Sequence, residues 1–143
     1  MNIDTILSDF EKLKDNCKQL EQKKIIVGIV GTKDSDVIKI ARAHEYGVPG
    51  KLKERSFIRA SFDAEQETLG RIISGAVDKV MSGRITPDAA ANSIGAQAAQ
   101  LTQNFIDDNR VTPPSDFSKK TQHTTLYETG THIRDRIAYR VEG

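Results

Sequence analysis

"KKIIVGIVG", residues 23–31, is the stretch whose reading decides the fold. Ile25, Ile26, Val27, Ile29 and Val30 make an apolar run too short for an independent helix and rich in β-branched side chains, so a buried strand is expected. A strand needs a partner. The C-terminal stretch "TTLYETGTHIRDRIAYRVEG", residues 124–143, supplies one: after Gly130 the apolar residues Ile133, Ile137, Tyr139 and Val141 are odd-numbered, while Arg134, Arg136, Arg140 and Glu142 are even. That period of two fits a half-buried strand with one packed and one charged face. Ile133 and Ile137 are also four apart, so a helical reading over 131–137 stays open.

Between and before these strands the pattern is helical. Ile3, Ile6, Leu7, Phe10, Leu13, Cys17 and Leu20 recur at three- and four-residue steps, which predicts an N-terminal amphipathic docking helix over 1–22. A second helix is expected over 34–46, stopped by Gly47, and a long one from about Phe57 to Met81 carrying Leu69, Ile72, Ile73, Ala76, Val77 and Val80. Thr86, Pro87 and Asp88 mark the start of another, since proline suits a first helical position and an acidic side chain complements the helix N-terminus. Its stripe of Ala91, Ile94, Ala98, Leu101 and Phe105 is accompanied by enough alanine, serine and glycine for a close neighbour on several sides.

Two connections stand out. Residues 47–57, with two glycines, one proline and alternating charge, predict an extended surface arm, and 109–125, with two consecutive prolines and many hydroxyls, predict a long flexible loop. The expected fold is α+β in one domain spanning 1–143: mostly helical, with a small antiparallel β-sheet packed against two or three long helices.

Composition narrows function. Twenty-one Lys and Arg against 20 Asp and Glu leave a net charge of +1, so no global field pulls the 143-residue chain toward nucleic acid or an anionic membrane. The single cysteine, Cys17, precludes an internal disulfide and sits on an apolar stripe, where a thiol acts as a small hydrophobe; an intracellular assembly environment fits. No apolar run approaches the ~20 residues of a membrane span.

Catalytic motifs are near misses. "GIVGTK" (28–33) follows a strand but has threonine and lysine in the wrong order for a phosphate loop, and "HEYG" (44–47) lacks the second histidine of a zinc-protease helix. His123 and His132, and the carboxylates Asp107, Asp108, Asp116 and Glu128, form no spacing that specifies a metal or an acid–base pair. No catalytic residue, cofactor or metal is expected. Local basic patches at Lys51, Lys53, Arg55, Arg59 and at Arg134, Arg136, Arg140 offer an alternative: a small nucleic-acid-binding module using the basic arm 51–59.

Three segments in order, "IARAHEYG" (40–47), "LKERSFIRASF" (52–62) and "TTLYETGTHIRDRIAYRVE" (124–142), resemble the bacteriophage tail-completion and neck (head–tail joining) proteins. In that family a His-Glu-Phe/Tyr-Gly segment precedes an arm ending in Arg-Pro-Phe, two helices, a Pro/Thr/Lys loop and Leu-x-x-Thr-Gly before a closing strand. The matching positions are His44–Gly47, Arg55 and Phe57, the loop with Pro113, Pro114, Lys119 and Lys120, and Leu126, Thr129 and Gly130. Lys53 and Ser56 stand where the family often has prolines, and one residue is inserted between Gly130 and the closing strand.

The resemblance implies a structural virion protein without catalysis, a homo-oligomeric ring (a hexamer or dodecamer) at the head–tail junction, assembled in the bacterial cytoplasm. Its implied partners are the connector and tail proteins, with non-specific contact to passing DNA and none to membrane. Arg55, Phe57, Arg59, Leu126, Thr129, Gly130, Arg136 and Tyr139 are the expected contact residues between subunits or with partners, with Arg55 as a bidentate partner for a carboxylate and Phe57 either as anchor or, equally well, in the core of its own chain.

Overall fold

The computed structural model describes residues 2–33, 35–114, 126 and 133–143. Helix α1 (Ile3–Gln22) leads into strand β1 (Lys24–Ile29), followed by α2 (Ser35–Tyr46), α3 (Ile58–Ala64), α4 (Gln66–Met81) and α5 (Pro87–Asp107). A short 3-10 turn (Ile133–Arg136) then enters strand β2 (Ile137–Glu142). The strands pair antiparallel, Lys24 opposite Glu142 through to Ile29 opposite Ile137. The result is the expected α+β fold, mostly helical, with the small sheet lying on α5.

The helix ends follow local chemistry. The Asn2 side chain accepts from the Thr5 N–H (2.9 Å) at the start of α1, and Thr86 does the same for Ala89 (3.1 Å) at α5, whose first residue is Pro87. At the other end of the sheet's first connection, Lys23 Nζ reaches both the Gly143 carbonyl oxygen (2.7 Å) and Asp88 (2.5 Å). One lysine thereby joins the α1–β1 junction, the end of β2 and the first turn of α5.

Helix α5 is the beam on which the rest is laid. Its small residues are used inside the chain: Ala90 and Ile94 close one apolar cluster with Ala76 and Val80 of α4, while Ala99, Phe105 and Ile106 close another with Phe57, Ile133 and Ile137. The hydroxyls of Thr102 and Ser61, both buried, meet at 2.9 Å and tie α3 to α5 without leaving a polar atom unpaired. The packed face of β2 is the predicted one. Ile137 is buried and Tyr139 and Val141 partly so, with Arg140 and Glu142 exposed and paired to each other at 3.0 Å.

Four expectations are corrected by tertiary contacts. The single helix from Phe57 to Met81 is two, interrupted at Glu65 (φ −108°, ψ 21°), so that α3 and α4 each reach α5 in their own direction. The arm at 47–57 is not extended. Val48 and Leu52 exchange backbone hydrogen bonds (2.8 and 2.9 Å) across a turn containing Gly50, and the Arg55 N–H returns to the His44 carbonyl (2.7 Å). The start of the proposed loop has something to bury after all: Val111 is 1% exposed and sits in the core. The rest of that loop, 115–125, lies outside the described residues. Finally, residues 133–136 take the helical alternative as a 3-10 turn before the strand begins.

Gly95 shows how closely the sheet is seated. A Cβ there would overlap the Tyr139 ring, and the Tyr139 hydroxyl bonds the Asn92 side chain at 3.2 Å. Gly95→Ala is therefore expected to destabilise the protein by about 1–3 kcal/mol through overpacking. Denaturant melts of Gly95→Ala, Tyr139→Ala and the double variant check this. The two losses should be clearly less than additive, because the second change removes the ring that the first collides with.

Candidate functional site

The segments "HEYG" and "RSFIR" fold into one unit. Helix α3 begins with backbone N–H groups that have no partner inside the helix, and all of them are met from outside it. Glu45, on the last turn of α2, reaches over with Oε2 accepting from the N–H groups of Phe57 (2.8 Å) and Ile58 (2.9 Å). Its Oε1 accepts from the Arg59 N–H (2.9 Å), the Arg59 guanidinium (3.0 Å) and the Ser56 hydroxyl (2.9 Å). The Ser56 Oγ in turn accepts from the Ala60 N–H at 3.1 Å. A buried carboxylate at a helix N-terminus is thus charge-complemented as well as hydrogen-bonded.

The neighbours of Glu45 complete the clamp. Gly47 adopts φ 73°, and a side chain there would press on the backbone of residue 54, so the turn admits only glycine comfortably. Tyr46 lies under the Arg59 guanidinium, 4.6 Å from ring centroid to Cζ, and Arg59 also pairs with Glu54 at 2.8 Å. The Ser56 hydroxyl serves twice, donating to Glu45 and accepting from the Ala60 N–H.

Two titratable groups in the clamp depart from their ordinary values. Burial pushes the Glu45 carboxyl up, but the N–H groups of Arg59, Ile58 and Phe57 and the Ser56 hydroxyl outweigh it and hold it below the usual carboxylate range. Burial, helped by the nearby Arg55 charge, pushes His44 down. The His44 Nδ1 is buried without a hydrogen-bond partner, the one such side-chain atom among the described residues.

The expected contact residues land in different places. Phe57 is 0% exposed and takes the core alternative, its ring packed in the cluster of Phe105, Ile106 and Ile133 and its N–H held by Glu45. Arg55 meets no carboxylate. Its Nε donates to the Pro113 carbonyl oxygen at 2.9 Å, holding the following segment to the clamp. Arg59 is half-exposed but committed to Glu45, Glu54 and Tyr46. Leu126 is a core residue and Tyr139 rests on Gly95, both inside the chain. Arg136 is exposed, whereas Arg134 forks onto Asp107 (3.0 and 2.8 Å) at the end of α5. Thr129 and Gly130, with His123 and His132, lie outside the described residues.

Sequence reasoning passed over Glu45, because its role depends on a helix start thirteen residues away in the chain and adjacent only in space. It also passed over how much of α1 stays uncovered: Ile3, Ile6, Leu7 and Phe10 are 74%, 52%, 56% and 61% exposed. The basic arm loses much of its positive field to Glu45 and Glu54, which leaves Lys51 and Lys53 as exposed cations. Among the described residues no cluster of three metal-ligating side chains occurs, and no helix is long and apolar enough to cross a membrane. Comparison with known proteins finds no matching family model, curated protein or solved structure.

The clamp predicts a two-step acid response. Both groups bind protons less readily in the fold than in the unfolded chain. Stability is therefore complete above the ordinary histidine value of 6.5, declines as pH falls below it, and declines again as pH falls below the ordinary carboxylate value of 4.5. Denaturant midpoints measured from pH 7.5 to 3.5 should show both declines, with His44→Gln removing the upper and Glu45→Gln reducing the lower, to which Glu65, held low by its hydrogen bond to Arg110, also contributes. At neutral pH, Glu45→Ala leaves several donors unmet and should cost about 3 kcal/mol, a fall in Tm of roughly 6–12 °C for a chain of this size.

Proposed function

We propose that this chain is a non-catalytic structural subunit of a tailed bacteriophage, forming a homo-oligomeric ring at the head–tail junction that joins the tail to the connector. The observation that carries the reading is the clamp. Two of the three segments that resemble the neck and tail-completion proteins are bound to each other through Glu45, and the third supplies β2 to the same sheet and core. Motifs far apart in sequence thus have a shared structural reason to occur together.

Surface chemistry supports an assembly role. The apolar half of α1 is uncovered, and contiguous exposed apolar side chains mark contact surfaces. Among the described residues the sheet has no third strand, and a free strand edge is a place where a neighbour's backbone can pair. A nucleic-acid module built on Lys51, Lys53, Arg55 and Arg59 finds less support, since Arg55 is tied to Pro113 and Arg59 to two carboxylates.

Native mass measurement and negative-stain imaging of the purified protein, alone and mixed with tail tubes and portals encoded beside it, test the proposal. Rings, or caps at one end of the tubes, are expected. A monomer that ignores both partners yet binds DNA with a steep salt dependence overturns the reading in favour of the nucleic-acid module.

A further inference from the structure

The apolar stripe of α1 is divided. Its lower part packs on the body, with Cys17 Sγ 3.6 Å from Met81 Sδ and Leu20 against the α4–α5 cluster. Its upper part, Ile3 to Phe10, continues the same stripe past the body's edge into solvent. This overhang is a formed helix end, closed by its own Asn2 cap.

Charge decides what covers it. Residues 2–11 carry Asp4, Asp9 and Glu11 and no basic side chain before Lys12, so two copies of this half-helix laid together bring like charges into contact. The fitting surface is apolar in its floor and basic on its rim. The chain carries such a surface between α4 and α5: a groove of about 450 Å³ lined by the buried or half-buried Ile72, Ala76 and Ile85 and by the exposed Ala89, Lys79 and Arg71, the last of these paired to Glu67 at 3.4 Å.

Gly75 lines that groove. A glycine in the interior of a helix is disfavoured against alanine, yet a Cβ at Gly75 has nothing within 4 Å in the chain. Among the described residues nothing occupies the space a Gly75 side chain would take, so the groove is open there, as is the space beside Gly70 in the same helix.

We propose that the first three turns of α1 dock into the α4–α5 groove of a second copy of this chain. The pairing rests on the ring reading above and supplies its joint. Because the donated helix and the receiving groove are different surfaces, the contact is heterologous, and its repetition closes into a ring or runs on as a filament.

Directed cross-linking tests it in the full-length chain. In a Cys17→Ser background, one chain carries Leu7→Cys and a differently tagged chain carries Ala89→Cys, and the mixture is treated with a bismaleimide at high micromolar protein. Cross-linked heterodimers are expected, and a chain with both cysteines should give a ladder. Gly75→Trp fills the groove and should lower the yield roughly tenfold or more, the factor of a lost contact worth about 1.4 kcal/mol, with an unchanged far-UV circular dichroism spectrum. The proposal is overturned if Leu7→Cys chains couple chiefly to one another, if Gly75→Trp leaves the yield unchanged, or if no cross-link forms. Rings of the unaltered protein without this cross-link would remove the joint and leave the ring standing. A ladder from a protein that never caps tubes would keep the joint and remove the junction role.

Discussion

A single carboxylate organises this protein. Glu45 accepts from five donors on residues 56–59, and in doing so it fixes the direction in which α3 leaves α2. Burying a charge is costly unless it is paired and hydrogen-bonded, and here both conditions hold at once. The consequence is geometric. With the Phe57 N–H held by Glu45, the Phe57 ring enters the core beside Phe105, Ile106 and Ile133, where α5 and the end of the chain are anchored. The turn at 47–55 is then a short detour whose ends are stitched by the Arg55–His44 backbone bond rather than an arm reaching outward.

Helix α5 transmits that order to the sheet. Its alanines and Gly95 let α4, β2 and the packed aromatics approach closely, and its ends are gripped by ion pairs, Asp88 to Lys23 at the start and Asp107 to Arg134 at the finish. A two-stranded sheet has little stability of its own in water and depends on a helix to back it. That explains why the C-terminal strand is held by side-chain packing on Gly95 and by the Lys23 bond to Gly143 as well as by its pairing with β1.

The described motif residues of the segments 40–47, 52–62 and 124–142 are, for the most part, keepers of this architecture. Phe57, Leu126 and Tyr139 face inward, Gly47 makes a turn and Glu45 holds a helix end. The exposed apolar side chains of Ile3, Ile6, Leu7 and Phe10 on α1 lie outside those motifs. In the proposed junction role this is a sensible division, because a scaffold has to be kept while the face toward a neighbour is adjusted to that neighbour.

The sequence by itself determined the element types, since hydrophobic period and turn chemistry are local. The strand at 24–29, the stripes of α1 and α5, the Thr86–Pro87 start and the inward face of β2 were all legible there. Tertiary structure alone decided the rest. The break at Glu65, the folded turn in place of an extended arm, the burial of Val111 and the cap formed by Glu45 each depend on groups distant in the chain. The same holds for Arg55 and Phe57, whose types suit an interface and a core equally. Period reports which residues want cover; only the packed chain shows which have received it from within, and which, as on α1, still await it.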